Sequence, residues 1–541
     1  MKKKNIFFVA LLSILSLMGC RDFLNQVPEG GTIMEDQKKA AIEANPGLLG
    51  ADVAAMSANM IALHGVFGTR DAGGDFDFGY SAACLMMDCN GADMTCANIG
   101  YNWFAPNSSF ADRVYTSLRT TYMWNLFYKQ IASANIVLAS VDPETENTIL
   151  RAYRGQALAI RAFDYFQLAQ LHQFTYKGHE NEKCVPIIIE TTLAEEANNN
   201  PRASVEDVYT RILDDLNQAV DLLAGFKRAD KGYVDQSVAY GLRARVNLVM
   251  NNWAEAAADA DSALVRSGAV PYTLAQLSAP VFYDATNDKT VLWANLITEN
   301  NDIVQSGIIN MPSHLCSFFT DGYIGVGAWK KISILLYNKI SDDDIRKQWW
   351  LDANKESSIV KSSAFDGWRE IASAEGDFGP YTNVKFGPYG GVEGMSKQIA
   401  AQDWFLMRAE EMILIKAEGL AMSGKTGDAK TLLENFINSN RMVRGKYTAP
   451  ADAAGLQDAI WLQRRIELWG EGFSFYDIMR LKKPIVRVES GVTSFPDAWQ
   501  FNIPAEAPIL LWLVPKAEIE ANKGISEDDN NAKVDPPLPG Q

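Results

Sequence analysis

The sequence predicts a mainly α-helical protein, a scaffold of helical repeats with long inserted loops and a few short strands. Apolar residues recur three and four positions apart over residues 403–422, and a second helical pattern begins at Asp428, after Gly424. Two such helices form an αα-hairpin, the unit from which helical-repeat proteins are stacked. Over residues 268–400 the helical period is lost, and glycine, proline, asparagine and aromatic residues become frequent.

Earlier segments fit the same architecture. Residues 153–173 are apolar almost all round, which indicates a helix buried between neighbouring helices. Ser204 is a favourable N-cap for the helical pattern that follows it. Residues 252–264 have the small-residue spacing of the second helix of a tetratricopeptide (TPR) unit, but no strict repeat period runs through the chain. The sequence therefore predicts a TPR-like stack interrupted by insertions.

The N-terminus has the features of an export signal. Three lysines precede an apolar stretch over residues 6–17, which is too short to span a bilayer. Leu17-Met-Gly-Cys20 follows and resembles a bacterial lipobox, in which the cysteine is acylated and becomes the mature N-terminus. Acyl chains contribute about 0.8 kcal/mol per buried methylene, so two or three chains give stable anchoring. The sequence predicts a lipid anchor at Cys20.

Composition and motifs argue against several classes of function. A formal net charge of −16 repels phosphate backbones, so nucleic-acid binding is not expected. The closely spaced Cys84, Cys89 and Cys96 match no zinc pattern, and either a disulfide or buried free thiols would explain them. No nucleophile elbow, HExxH motif, phosphate loop or dinucleotide fingerprint is present. The sequence predicts a binding protein with no catalytic residue, metal or cofactor.

Two carboxylates invite a catalytic interpretation. Glu467 and Glu471 lie four residues apart on one predicted helix face, as an acid pair might be placed in a glycosidase. The alternative is that they form ion pairs with Arg464 or Arg480, or accept hydrogen bonds from backbone amides near Gly472. The sequence favours this second, structural role.

Several segments match sequence patterns that occur together in one family. Residues 403–419 are similar to the pattern D-x-x-x-x-R-x-A-E-x-x-L-x-x-A-E-A, and residues 464–480 to R-x-x-E-L-x-x-E-G-x-R-x-x-D-x-x-R. With these motifs the chain resembles the SusD/RagB family of Bacteroidetes outer-membrane lipoproteins. Similar matches follow Cys20 and lie at residues 124–135 and 515–522. The chain departs from these patterns where Gly419 replaces an alanine and Ser474 replaces an arginine.

The resemblance implies a fold and a function. SusD-like proteins are lids on the cell surface over a SusC-like TonB-dependent transporter, and they capture oligosaccharides, or peptides in the RagB branch. Their TPR-like helices face the transporter and their loops hold the ligand. We therefore predict a glycan-binding lipoprotein, anchored in the outer membrane and exposed at the cell surface, that passes oligosaccharides to such a transporter.

The resemblance and the composition together divide the chain. We predict the following parts: signal peptide 1–19, lipidated tether 20–37, N-terminal TPR-like helical part 38–267, loop-rich ligand-binding insertion 268–400, C-terminal RagB/SusD helical part 401–525, and an acidic, proline-rich disordered tail 526–541.

Two loop regions have the composition of a sugar site. Sugar rings present apolar C–H faces and hydroxyl edges, so a site needs exposed aromatic rings flanked by polar groups. Residues 67–75 with 101–104 form one region and residues 293–329 the other. The predicted ligand contacts are Trp103, Tyr101, Trp329, Tyr323, Arg70, Asp71 and Asn102. Packing in the core is the alternative role for each aromatic residue.

Three other functions stay open at this point. A RagB-like lid would bind peptides, and the acidic surface would favour basic ones. A surface glycosidase would need two carboxylates at a fixed separation in a cleft. An adhesin or structural protein would bind no soluble ligand and no transporter.

Overall fold

The computed structural model describes residues 35–61, 74–374 and 378–540. In these ranges the α-helices are α1 (Glu35–Ala44), α2 (Gly50–Ala58), α3 (Tyr80–Asn90), α4 (Ala105–Ser108), α5 (Leu118–Ser140), α6 (Thr148–His172), α7 (Ala194–Ala197), α8 (Val205–Leu222), α9 (Gln236–Val249), α10 (Trp253–Ser267), α11 (Asp302–Gln305), α12 (Met311–Leu315), α13 (Ile334–Tyr337), α14 (Asp366–Ala374), α15 (Gly391–Gly394), α16 (Ala409–Met422), α17 (Thr426–Asn440), α18 (Ala453–Glu467), α19 (Ser474–Arg480) and α20 (Lys516–Ala521). The strands are β1 (Met94–Cys96), β2 (Val291–Asn295), β3 (Lys330–Ile332), β4 (Trp404–Arg408), β5 (Ile485–Val486) and β6 (Asn502–Ile503).

The longer helices pack in a row that follows the chain. α5 contacts α6, α6 contacts α8, α8 contacts α9, and α9 contacts α10. α10 packs against α16, and α16 packs against α17 and α18, so the row continues beyond the inserted loops. Every side chain of α6 from residue 154 to 172 is buried, as the apolar pattern of 153–173 predicts. The predicted mainly α-helical, TPR-like scaffold with inserted loops and short strands is confirmed.

Side-chain caps explain where several of these helices begin. The Ser204 hydroxyl accepts a hydrogen bond from Asp207 N at the start of α8, as the sequence predicts. The Asn147 side chain accepts from the backbone amides of residues 149 and 150 at the start of α6. Each cap satisfies amide donors that have no partner within the helix.

Residues 404–408 form a strand and not the first turns of a long helix, so the prediction of one helix over 403–422 is wrong for this part. β4 pairs antiparallel with β2, with Phe405 opposite Ala294, and α16 begins only at Ala409. All five residues of β4 are buried. A short run that is apolar on every side does not distinguish a buried strand from a buried helix.

Gly419 lies where α16 approaches α10 closely. A Cβ atom at this position would lie 2.4 Å from the Trp253 carbonyl oxygen and 2.9 Å from Ala257 Cβ. Both distances are shorter than non-bonded carbon and oxygen atoms tolerate. The glycine that departs from the family pattern is therefore required by the spacing of these two helices.

We expect Gly419→Val to lower the free energy of unfolding by about 1–3 kcal/mol, because the added carbons force two packed helices apart. Urea denaturation followed by circular dichroism measures the change. Gly427→Ala on α17 is the control, since no atom lies within 4 Å of the position its Cβ would occupy. Helix propensity favours that substitution by roughly 0.5–1 kcal/mol. Equal destabilisation of both variants would contradict the close approach.

Glu467, at the end of α18, is the centre of a buried network of charges. Its carboxylate accepts hydrogen bonds from Arg408 at 2.9 Å, Arg441 at 2.8 Å and Arg346 at 3.0 Å. All four side chains are fully or almost fully buried. Because Arg346 comes from the inserted segment and Arg408 from β4, the network ties the insertion to the C-terminal helices.

Glu471 takes part in the same network. It accepts hydrogen bonds from Arg408 Nε at 2.8 Å and from Lys385 Nζ at 2.6 Å. Arg464 and Arg480, the partners predicted from the sequence, form ion pairs with other carboxylates. The structural role of both glutamates is thus as predicted, but the predicted arginine partners are wrong.

The C-terminal segment differs from the disordered tail expected over 526–541. The Asn530 side chain accepts from Val514 N at 2.8 Å and donates to Val514 O at 2.9 Å. Asn531 Nδ2 donates to the His172 carbonyl oxygen at 2.9 Å. Asparagine amides supply both a donor and an acceptor, which allows this acidic, proline-rich segment to attach to backbone groups of the body.

Candidate functional site

The described parts of the two predicted loop regions meet at one end of a small sheet. β1 and β3 pair antiparallel, with Met94 opposite Ile332 and Cys96 opposite Lys330. The loop that follows β1 and the loop that precedes β3 therefore join the strand pair at the same end. Ala97 N donates to the Trp329 carbonyl oxygen at 3.4 Å, which extends the contact between the two loops.

An apolar, aromatic surface lies at this end of the sheet. Tyr101 is 60% exposed, Val326 53% and Ile99 38%, while Trp103 and Trp329 are half-buried. A Cβ on Gly327 would lie 3.6 Å from Ile99 Cδ1, so Ile99 adjoins the second loop. We call these five residues, Ile99, Tyr101, Trp103, Val326 and Trp329, the aromatic surface. Exposed large apolar groups that lie together are typical of binding sites.

Tyr323 forms the inner wall of the site. It is 6% exposed, and its hydroxyl donates a hydrogen bond to the Asp75 carboxylate. Its ring stacks on His314, with 4.7 Å between the ring centroids. Burial and the adjoining Asp75 carboxylate raise the pKa of Tyr323, whose environment also includes Tyr101 and Trp103. Tyr323 therefore stays protonated and supports the aromatic surface from beneath.

His314 continues the stack into the core. Its ring lies parallel to Phe78, with centroids 5.4 Å apart, and meets the edge of Phe104 at 5.0 Å. Burial and the positive charge of Lys330 lower the pKa of His314 well below its usual value. The imidazole is consequently neutral at physiological pH, and its Nε2 lies 3.0 Å from the Asp75 carbonyl oxygen, at which it donates. Neutral, stacked and buried, His314 fixes the wall rather than meeting a ligand.

Asn102 holds the first loop in shape. It is 3% exposed, and its Nδ2 donates to the Ala97 carbonyl oxygen at 2.7 Å. Its Oδ1 accepts from Phe104 N at 3.2 Å and from Lys330 Nζ at 3.3 Å. The amide predicted as a ligand contact is thus engaged in internal hydrogen bonds.

We expect Asn102→Ala to lower the free energy of unfolding by about 1–3 kcal/mol, because three buried polar groups lose a partner. The substitution should also weaken any ligand bound by the loop, although Asn102 does not face solvent. Thermal unfolding and ligand titration of the same sample measure both effects. Asn98→Ala is the control on the same loop, since Asn98 is exposed. A folded, fully stable Asn102→Ala protein would contradict the internal role.

One face of Trp329 is already covered. The Lys331 ammonium lies 3.7 Å from the Trp329 ring centroid, a cation–π geometry. A ligand stacking on Trp329 must use the other face or displace Lys331. Tyr101, at 60% exposed, offers the more accessible ring.

Arg70, Asp71 and the lipidation residue Cys20 lie outside the described residues. Within 35–61, 74–374 and 378–540, no three His, Cys, Asp or Glu side chains are grouped to hold a metal ion. In the same ranges, no helix has the length and apolar character needed to cross a bilayer.

The sequence predicts the aromatic residues of the site but not the residues that pack against them. No local sequence pattern indicates the roles of His314 and Lys331. Their roles follow from the pairing of β1 with β3, which joins residues far apart in the chain. Two three-residue strands carry too few residues for a recognisable period-two pattern.

The fold and the site together define a helical-repeat scaffold whose inserted loops present an aromatic surface. Residues 87–248 match a family model described as "Starch-binding associating with outer membrane", and residues 332–530 match the model of the SusD family. The chain belongs to the SusD/RagB family.

Curated relatives agree with this assignment. A SusD-like protein of Formosa agariphila is 23% identical, over 90% of this chain and 92% of its own length. A SusD-like protein of Bacteroides ovatus is 22% identical over 66% of this chain, and the match spans 64% of that protein.

Solved structures share the fold. A SusD-like carbohydrate-binding protein from Bacteroides vulgatus superposes with a TM-score of 0.69 at 22% identity, covering 90% of this chain and 98% of the other. A SusD superfamily protein from Bacteroides thetaiotaomicron gives 0.64 at 20% identity, covering 88% and 100%. At these identities the likeness concerns the fold.

Proposed function

We propose that this protein binds glycans at the cell surface, captures oligosaccharides on its aromatic surface and passes them to a SusC-like TonB-dependent transporter. The observation that carries the proposal is the exposed ring of Tyr101, which shares the environment of Tyr323 with Trp103 and belongs to the loop that hydrogen-bonds to the Trp329 backbone. In this proposal Cys20 carries the lipid anchor that holds the protein at the outer membrane.

The chemistry of the surface suits a sugar ring. The apolar face of a sugar stacks on an aromatic ring for about 0.5–1.5 kcal/mol, and each hydrogen bond adds about 1 kcal/mol net. Two stacks and four hydrogen bonds contribute about 5–7 kcal/mol, and the free energy lost on association brings the expected affinity to roughly millimolar or weaker. Such weak capture is compatible with transfer to a transporter.

The relatives support the same class of ligand. The first family model is described as starch-binding, and the Bacteroides vulgatus structure is described as a carbohydrate-binding protein. Extending that ligand class to this chain is part of the proposal, as is the transporter.

The test is retention of the purified chain, beginning after Cys20, by a panel of polysaccharides and peptides. We expect retention by one glycan class. Retention by peptides alone would favour the RagB-like alternative, a lid that binds peptides. Release of new reducing ends from a glycan would favour the glycosidase alternative, and a folded protein retained by nothing would contradict a binding role for this surface.

Two single variants locate the binding surface in the same panel. Trp329→Ala removes a ring of the aromatic surface and should weaken retention. Val265→Ala removes an apolar side chain that is exposed on α10, far along the chain from both loops, and should leave retention unchanged. Equal retention of both variants would mean that the glycan does not contact Trp329.

Transfer to a transporter needs its own measurement. Affinity purification of the full chain from the outer membrane should bring a TonB-dependent transporter with it. The glycan-panel result and this result are independent. If the protein binds a glycan but brings no transporter with it, glycan binding stands and transfer to a transporter is contradicted.

A further inference from the structure

Two buried sulfur atoms lie unusually close together next to the aromatic surface. Cys89 Sγ, near the end of α3, is 3.1 Å from Cys96 Sγ at the end of β1. Both side chains are completely buried. Non-bonded heavy atoms usually stay about 3.5–4.0 Å apart, whereas a disulfide bond needs about 2.05 Å. The two sulfurs therefore need to move by only about an ångström to form a bond.

The segment between the two cysteines is held in place from outside. Arg487 donates hydrogen bonds to the carbonyl oxygens of Cys89 at 3.1 Å, Asn90 at 3.2 Å and Gly91 at 3.1 Å. On the other side, Cys96 is fixed by its pairing with Lys330. Both ends of the segment are thus positioned by contacts that do not involve sulfur.

The neighbouring cations do not depend on a thiolate. Lys330 Nζ donates to the Ala328 carbonyl oxygen at 3.0 Å and to Asn102 Oδ1 at 3.3 Å. Arg487 has its carbonyl acceptors and lies over the rings of Phe495 and Phe501. Removing the thiol protons and joining the sulfurs would therefore leave neither cation without a partner.

We propose that Cys89 and Cys96 form an intramolecular disulfide when the chain folds outside the cytoplasm. The oxidant is the disulfide of an envelope thiol–disulfide oxidoreductase. The Cys96 thiolate attacks one sulfur of that disulfide and expels the other as a thiolate. Cys89 then loses its proton and attacks the Cys96 sulfur, which releases the oxidoreductase as a dithiol carrying both electrons.

In the folded dithiol form, the two thiols differ in acidity. Burial alone raises the pKa of a thiol, but the contact with Cys89 and the charge of Lys330 outweigh it and lower the pKa of Cys96 to about 7. Burial, followed by the contact with Cys96, raises the pKa of Cys89. In the dithiol form, Cys96 is consequently the sulfur that carries negative charge near neutral pH.

The other described cysteines have different surroundings. Cys316 Sγ donates to the Phe386 carbonyl oxygen at 3.3 Å, and burial raises the pKa of both Cys184 and Cys316 to about 12. Cys84 is also buried and free. These three thiols provide internal references, because the proposal keeps them reduced.

The experiment is differential alkylation of the full chain purified from the outer membrane. The protein is unfolded in guanidinium with iodoacetamide, then reduced, labelled with a second reagent, digested and mapped by mass spectrometry. We expect Cys84, Cys184 and Cys316 to carry the first label and Cys89 and Cys96 the second. The first label on both Cys89 and Cys96 would overturn the proposal, as would a peptide that joins either of them to another cysteine in a parallel digest of the alkylated, unreduced protein.

Two variants make the assignment independent of stability, since mapping uses unfolded protein. In the Cys89→Ser variant, Cys96 should carry the first label instead of the second. Cys184→Ser should leave Cys89 and Cys96 with the second label. The proposal depends on export, which the acylated Cys20 peptide reports in the same digest, and it does not depend on the ligand. The glycan panel can therefore give a negative result while the disulfide is present.

Discussion

Glu467→Gln is expected to lower the free energy of unfolding by about 3–5 kcal/mol, because it leaves buried arginines without their carboxylate. Arg346, Arg408 and Arg441 all donate to Glu467, and none of the four side chains has appreciable contact with solvent. Glutamine keeps the size of the side chain and removes the charge. Urea denaturation followed by tryptophan fluorescence measures the loss.

The same carboxylate should make stability depend on pH. Burial alone raises the pKa of Glu467, but Arg441, Arg408 and Arg346 outweigh it and hold the pKa well below the usual value. Since the folded pKa is lower than the unfolded value of about 4.3, this stabilisation is fully present above that pH. It is lost as pH falls toward the folded pKa. Glu467→Gln should therefore flatten the acid limb of the stability profile.

Asp458→Asn is the control for this prediction. Asp458 lies on the same helix, α18, and pairs with Lys483 at 2.8 Å, but its side chain is 63% exposed. Exposed pairs contribute little, so its loss should change stability by less than about 0.5–1 kcal/mol. Similar losses in the two variants would show that the buried network does not hold the insertion against the C-terminal helices.

The helical scaffold could be predicted because its signals are local. The apolar pattern of 153–173 and the Ser204 cap each specify a helix from neighbouring residues, and both helices are present. The strand at residues 404–408 could not be predicted in this way, since it pairs with residues 291–295, which lie far back in the insertion. Local periodicity carries no information about such long-range partners.

The candidate site shows the same division. Composition identified Tyr101, Trp103 and Trp329 as aromatic residues in loops, and all three lie at one end of the β1–β3 pair. Burial could not be predicted: Asn102 is engaged within its loop and Tyr323 lies beneath the surface. Whether a polar loop residue points outward depends on contacts made by distant segments, here Lys330 and Asp75.

A double-mutant cycle on Tyr101 and Trp329 should show that one glycan contacts both loops. Each alanine substitution is expected to weaken binding about threefold to tenfold, because one stacking contact is worth about 0.5–1.5 kcal/mol. The double variant should bind roughly tenfold to a hundredfold more weakly, since contacts of one ligand with separate rings add. Calorimetric titration with the glycan retained in the panel measures all four proteins.

The pattern of losses distinguishes a shared site from separate ones. Tyr101 is 60% exposed and Trp329 half-buried, so Tyr101→Ala should leave the melting temperature unchanged while Trp329→Ala lowers it slightly. A double variant that binds no more weakly than the worse single variant would mean that one ring alone meets the ligand. Loss in Tyr101→Ala without loss in Trp329→Ala would indicate that Lys331, 3.7 Å from the Trp329 ring centroid, keeps that ring from the sugar. In that case Lys331→Met should strengthen binding, because removing the ammonium frees the covered face for stacking.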